Sequence, residues 1–207
     1  MPAQLLPADH RRESVLGAVR ANLGLLLSLA AIPWAVEILD LLLAGSLDRF
    51  GIRPRQLAAL PGIAASPFLH GGFGHLASNT LPFLALGGIV LLGGRSLFLT
   101  ATTVILLLGG GALWVFGPGG TNHIGASLLV FGYLGFLLAR GFVERSLAWI
   151  LVAIAVLILY GGMVAGVLPG KPGVSWQGHL SGFLAGLVTA RILFARASPK
   201  GEGDMAA

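Results

Sequence analysis

The sequence predicts an all-α membrane protein, a bundle of six transmembrane helices with a short central fourth helix, on three observations. Of the 207 residues, 56% are hydrophobic and only 10% are charged, too few charges to cover the surface of a soluble domain. The apolar residues fall in blocks of about 16–23, separated by short loops that hold most of the charges, as helices crossing a bilayer do. Three of those blocks open on a polar side chain: His75, Ser127 and His179. Cysteine is absent, which excludes disulfides and thiolate chemistry. The net charge of +5 is spread along loops and lacks the one-sided massing of a nucleic-acid footprint.

Residues 1–20 are polar, carry Arg11, Arg12 and Arg20, and are expected to form a cytoplasmic N-terminal segment ahead of a membrane domain over 21–196. The first span is expected from Asn22 to Ala44. Its apolar run is too long for the core of a signal peptide, and Glu37 and Asp40 near its far end are expected to snorkel or to pair with loop arginines. The connection from Gly45 to Gly74 holds Arg49, Arg53 and Arg55. It also holds Leu57, Leu60, Ile63, Phe68 and Leu69, the makings of short helices lying in the interface. The second span is expected over His75–Gly93, turned by Arg95, and the third over Leu97–Phe116. After the break Gly117-Pro118-Gly119-Gly120, the fourth is expected over Gly125–Ala139, ending at Arg140. The fifth covers Ala148–Val164 and is followed by Leu168-Pro169-Gly170-Lys171-Pro172-Gly173. The sixth covers His179–Phe194, with a polar cytoplasmic tail over 197–207.

With six spans both termini share one side. That side collects Arg11, Arg12, Arg20, Arg95, Arg140, Arg145, Arg191, Arg196 and Lys200, nine of the thirteen basic residues, which makes it cytoplasmic. His75, Ser127 and His179 then all begin spans that run inward, at one level near the outer face. A fourth helix of about 15 residues spans roughly 22 Å, against about 30 Å of hydrocarbon. With Arg140 at the inner surface, Ser127 lies below the outer one. Its Gly/Pro approach is tolerable at that depth beside a wet cavity or inside protein.

A serine hydroxyl needs a neighbouring base before it can attack. His10 lies in the N-terminal segment and His70 and His123 lie in loops, whereas His75 and His179 head helices on the right side. Gly178, Gly182 and Gly186 form overlapping Gly-x-x-x-Gly pairs that let a neighbouring backbone approach closely; if that neighbour is the fourth span, His179 meets Ser127. His75 and Asn79 are one turn apart on one face and can aim hydrogen bonds at an oxyanion beside Ser127, joined by its backbone N–H. The plainer readings are a packing serine, an interfacial histidine and an asparagine that glues helices.

The segments His70-Gly71-Gly72-Phe73-Gly74-His75-Leu76-Ala77-Ser78-Asn79, Gly125-Ala126-Ser127 and Ser175-Trp176-Gln177-Gly178-His179-Leu180-Ser181-Gly182 resemble, in order and spacing, the rhomboid family of intramembrane serine proteases. The similarity covers about residues 50 to 190. It implies a six-helix bundle of the rhomboid type whose fourth helix carries the nucleophile Ser127, with His179 as general base. It further implies an oxyanion hole of His75, Asn79 and the Ser127 amide, and Phe131 as a ring packed on the base. It implies cleavage of single-span membrane proteins near the outer end of the span, with no cofactor and no metal. The resemblance departs at Leu128, where many members have Gly. The first loop also lacks a Trp-Arg pair, for which Ile52-Arg53-Pro54-Arg55 is expected to substitute.

The expected partners are transmembrane protein substrates and the lipid bilayer, not nucleic acid. The expected location is a plasma membrane of the bacterial kind, on the bare six-span plan. Because a bound helix must unwind locally to be cut, substrates with small residues around the cleaved bond are expected. Pro169–Gly173 is expected to cap the cavity and move with the fifth span. Two other readings compete: a non-catalytic relative that binds transmembrane helices, and a transporter lined by His70, His75, His123 and His179. Against the transporter, no inverted repeat and no Asp, Glu or Cys accompanies those histidines.

Overall fold

The computed structural model describes residues 8–170 and 173–195, the side chains of 8–16 and 18 excepted. Expectations that fall on Arg11, Arg12, Lys171, Pro172, Arg196, Lys200 and the tail therefore lie outside the described residues. Seven α-helices are present among the described residues: α1 (Ala8–Leu42), α2 (Gly62–Ala65), α3 (Phe73–Leu91), α4 (Arg95–Phe116), α5 (Ser127–Glu144), α6 (Leu147–Tyr160) and α7 (Trp176–Phe194). No strand occurs among these residues, only an isolated bridge between Ile52 and His123.

Among the described residues, five segments are long and apolar enough to cross a membrane: Val19–Leu42 within α1, then α3, α4, α5 and Leu147–Val167. The last is α6 prolonged by a 3-10 stretch, Gly161–Val167. Where the sixth span was expected the chain forms α7, a helix of 19 residues, as many as α3. It interleaves Gln177, His179, Ser181, Thr189 and Arg191 with its apolar positions, and it is not one of the five. The first helix reaches back to Ala8, well into the stretch read as a polar N-terminal segment.

The fourth span is longer than expected. It begins at Ser127 and, instead of stopping at Arg140, runs to Glu144 for 18 residues, about 27 Å. Arg140 is not held at the surface; it is 6% exposed. Its Nε donates to Glu144 Oε1 across 2.7 Å, and its guanidinium lies 3.5 Å over the Trp149 ring and 4.7 Å over Phe194. A charge paired within the helix and stacked on aromatic faces does not end the helix, even though its Nη1 is buried without a hydrogen-bond partner.

This helix is nevertheless the centre of the bundle. Two thirds of α5 is buried, against 39% or less of any other candidate span, and α3, α4, α6 and α7 all pack on it. Tyr133 is fully buried between Phe83 of α3 and Phe98 of α4. Because Thr102 Oγ1 donates to the Phe98 carbonyl, it accepts the proton of Tyr133 Oη across 2.8 Å. The inner core is thus apolar, with its buried hydroxyl satisfied.

The α5–α7 contact is backbone on backbone. A Cβ built on Gly182 would run into the Leu128 carbonyl, and one built on Gly186 into the carbonyl of Gly132. Gly178 serves differently from the expectation: it faces Ser175 and Leu113 of α4, because it lies in the first turn of α7 beside its cap.

The connection after α1 forms short helices, as its apolar residues suggested: 3-10 turns at Asp48–Phe50, Leu57–Ala59 and Ser66–Phe68, with α2 between. Arg55 holds this layer to the end of α4. Its Nη1 donates to the carbonyls of Val115 and Gly117 at 3.1 and 2.7 Å, and its N–H to that of Trp114 at 3.0 Å. Ile52 exchanges two 2.9 Å backbone bonds with His123. Glu37 and Asp40 do not pair with the loop arginines; both are buried, and the single salt bridge among the described residues is Arg140–Glu144. Asp40 Oδ1 instead accepts the Leu47 amide across 2.6 Å, since the chain turns back over the end of α1. Asp48, in the loop, has its carboxyl raised to about 6 by burial and then by the nearby Asp40 and Glu37.

Candidate active site

A cavity of about 550 Å³ opens where the first turns of α3, α5 and α7 meet Met163 of the 3-10 stretch after α6. His75, Asn79, Ser127, Phe131 and His179 all line it. The residues read from the sequence as one constellation are therefore brought to one place. The expected common level of His75, Ser127 and His179 becomes a common wall.

Ser127 is the first residue of α5. The first N–H groups of a helix have no partner within it and carry the positive end of its dipole. The approach is made by Gly125, which has φ +108 and whose Cβ, if it had one, would stand 2.8 Å from the His75 ring. Only glycine fits that turn without strain. Its N–H is fixed to the Ser66 carbonyl at 2.9 Å.

His179 stacks on Phe131, the ring centroids 4.1 Å apart and the planes 10° from parallel. Phe131 is one turn after Ser127 on α5, so one helix supplies both the hydroxyl and the ring that holds the imidazole. The Nδ1 of His179 lies 3.0 Å from the Gly166 carbonyl oxygen. A carbonyl only accepts, so Nδ1 carries the proton and Nε2 of the neutral ring is left with its lone pair. That is the tautomer a base toward serine needs, oriented by a peptide carbonyl where a carboxylate would otherwise serve. No direct hydrogen bond joins Ser127 to His179 among the described residues.

Asn79 is 7% exposed and donates one amide proton to the carbonyl of His75 at 3.1 Å, within α3. Its second amide proton is left for another acceptor. Sequence reasoning left His70 in a loop and missed its part. It is 1% exposed, and its Nε2 accepts the Ala126 amide across 3.2 Å, one residue before Ser127. Burial, and then the neighbouring His75, push its pKa down to about 4, so the ring is neutral and able to accept. Gly166 was also missed; a backbone carbonyl far along the chain leaves no mark in the letters. Of the four histidines of the transporter reading, His75, His123 and His179 line the cavity, His123 with both ring nitrogens on side chains of Thr121 and Ser175, while His70 is held on the Ala126 amide. Among the described residues no three His, Asp or Glu side chains are grouped as a metal ion would need.

The rhomboid domain family model matches residues 59–196. A protein of Mycobacterium bovis is 44% identical over 178 residues, 82% of this chain and 74% of its own length. A Mycobacterium tuberculosis protein matches to the same extent. A Mycobacterium leprae protein is 43% identical over 179 residues, 82% of this chain and 70% of its own length. All three carry the description uncharacterized protein.

Proposed function

This chain belongs to the rhomboid family, and we propose that it is an intramembrane serine endopeptidase that cuts membrane proteins in or near their transmembrane segments. The observation that carries the reading is that one cavity is lined by Ser127, His179, His75 and Asn79 together. The protein is integral to the membrane; we place both termini in the cytoplasm and count α7 as the sixth crossing.

In the proposed reaction Ser127 Oγ attacks the scissile carbonyl carbon while its proton passes to Nε2 of His179. Nδ1 keeps its proton, hydrogen-bonded to the Gly166 carbonyl oxygen, which steadies the imidazolium that forms. The oxyanion is met by the Ser127 N–H, the free amide proton of Asn79 and the His75 ring, at the positive end of α5. His179 then protonates the leaving amine, the C–N bond breaks, and an ester to Ser127 remains. Water, deprotonated by the same Nε2, hydrolyses that ester. Phe131 keeps the ring facing Ser127 through both steps. Substrate enters beside the Pro169–Gly173 segment and unwinds at small residues.

The test is incubation of proteoliposomes with a panel of single-span proteins, with fragment masses mapping each cut. Wild type cuts at small residues near the outer end of the span and Ser127→Ala cuts none. A non-catalytic helix-binding protein would co-purify with such proteins and cut none.

A further inference from the structure

His123 stands outside the chemistry just described, yet it is 8% exposed and both ring nitrogens are engaged. Its backbone is pinned to Ile52 by two 2.9 Å bonds, so the ring has a fixed origin four residues before Ser127. Nε2 lies 2.7 Å from Thr121 Oγ1, and Nδ1 lies 2.7 Å from Ser175 Oγ. The proton positions follow. Thr121 has one hydroxyl proton and gives it to the Pro118 carbonyl at 2.7 Å, so toward His123 it accepts and Nε2 carries hydrogen. Burial lowers the pKa of this ring, which leaves Nδ1 a bare acceptor for the Ser175 hydroxyl proton. The Ser175 oxygen in turn accepts the Gly178 N–H across 3.1 Å, capping α7 one residue before His179.

We propose that His123 is a positioning residue that ties the loop delivering Ser127 to the first turn of α7, through Ser175, and so sets the serine against His179. This rests on the reading of Ser127 and His179 as nucleophile and base. These two come from elements far apart in the chain, and α5 and α7 meet along glycines that leave sliding of the helix starts to the loops. A misplacement of about 1 Å at such a pair costs roughly 100-fold in rate. The clamp removes that freedom from the wall of the cavity that His123 and Ser175 share with Ser127 and His179.

Two isosteres separate the two ends of the ring. An asparagine amide puts its oxygen where Nδ1 was; a glutamine amide reaches only where Nε2 was. The full chain is reconstituted with a single-span reporter, and kcat and KM are measured for wild type, His123→Asn, His123→Gln and Ser127→Ala. Imidazole nitrogen NMR signals of His179 are recorded for all but the last. The clamp predicts that His123→Gln lowers kcat about 10- to 100-fold, leaves KM within about twofold, and shifts the His179 signals. His123→Asn keeps kcat within about fivefold of wild type and the His179 signals in place. Retained kcat in His123→Gln with loss in His123→Asn would show that only the Thr121 anchor matters and overturn the proposal, as would no effect in either. If wild type and Ser127→Ala are equally inactive, the protease reading has failed. The clamp is then decided by the spectrum: a His179 shift in His123→Gln but not in His123→Asn supports it, and any other pattern rejects it.

Discussion

His179 donates a hydrogen bond from Nδ1 to the Gly166 carbonyl oxygen across 3.0 Å, and that single bond leaves Nε2 as the nitrogen with the lone pair. The carbonyl comes from the 3-10 stretch that follows α6, so the His179 ring is oriented by a segment that belongs to neither α5 nor α7. A Cβ on Gly166 would stand 2.9 Å from Phe131 Cζ and 3.4 Å from Nδ1 itself. The methyl of Gly166→Ala therefore pushes the carbonyl off the ring. The expected outcome is a kcat about tenfold lower or less still, with KM unchanged, measured with a single-span reporter in proteoliposomes.

The ring under His179 is replaceable by another ring but not by a methyl. Stacked aromatic pairs contribute about 0.5–1.5 kcal/mol beyond their buried area. Phe131→Ala is expected to lower kcat about 3- to 10-fold, and Phe131→Tyr to leave it near wild type, in the same assay.

Stability depends on the closeness of α5 and α7. In Gly186→Ala the new methyl meets the Gly132 carbonyl and comes within 2.7 Å of the Phe136 nitrogen, and neither is a side-chain end that can swing away. A loss of about 1–3 kcal/mol is expected, seen as a lower unfolding midpoint in detergent. Gly162→Ala, with nothing within 4 Å of the added atom, leaves the midpoint unmoved.

His70 links stability to pH. Its folded pKa of about 4 lies below the ordinary histidine value of about 6.5. The unfolded chain therefore binds more protons between those values, and the stability His70 contributes is lost as pH falls from about 6.5 toward 4. His70→Gln places an amide oxygen near the position of Nε2, keeps an acceptor for Ala126 and does not titrate. Unfolding midpoints at pH 7 and pH 4.5 are expected to differ less in this variant than in wild type.

Much of this architecture is legible in the letters because bilayer helices announce themselves by length. Four of the expected spans coincide with α3, α4, α5 and the α6 segment to within a few residues at most ends, and the first overlaps α1 from Asn22 to its end at Leu42. The glycines at 182 and 186 were readable too, since their spacing on one stripe has a packing meaning. What was not readable depends on partners distant in sequence. The end of α5 differs because a charge reads as a surface marker, while Arg140 is paired with Glu144 and stacked on Trp149 inside the protein. Glu37 and Asp40, expected to snorkel or to pair with loop arginines, make no ion pair among the described residues, and Asp40 takes the Leu47 amide instead. The residues of the cavity were found from their helix-initial positions. The groups that orient them, the Gly166 carbonyl and the His70 ring, were not, because a backbone acceptor and a buried loop histidine look the same in any sequence.

The claim on which the account turns is that His179 makes Ser127 a nucleophile. It is tested most directly by labelling the reconstituted protein with a fluorophosphonate and locating the adduct by peptide mass mapping. The account predicts an adduct on Ser127 alone, formed at least 100-fold more slowly in His179→Ala and absent in Ser127→Ala. No adduct in wild type, or one that forms equally fast without His179, would contradict it.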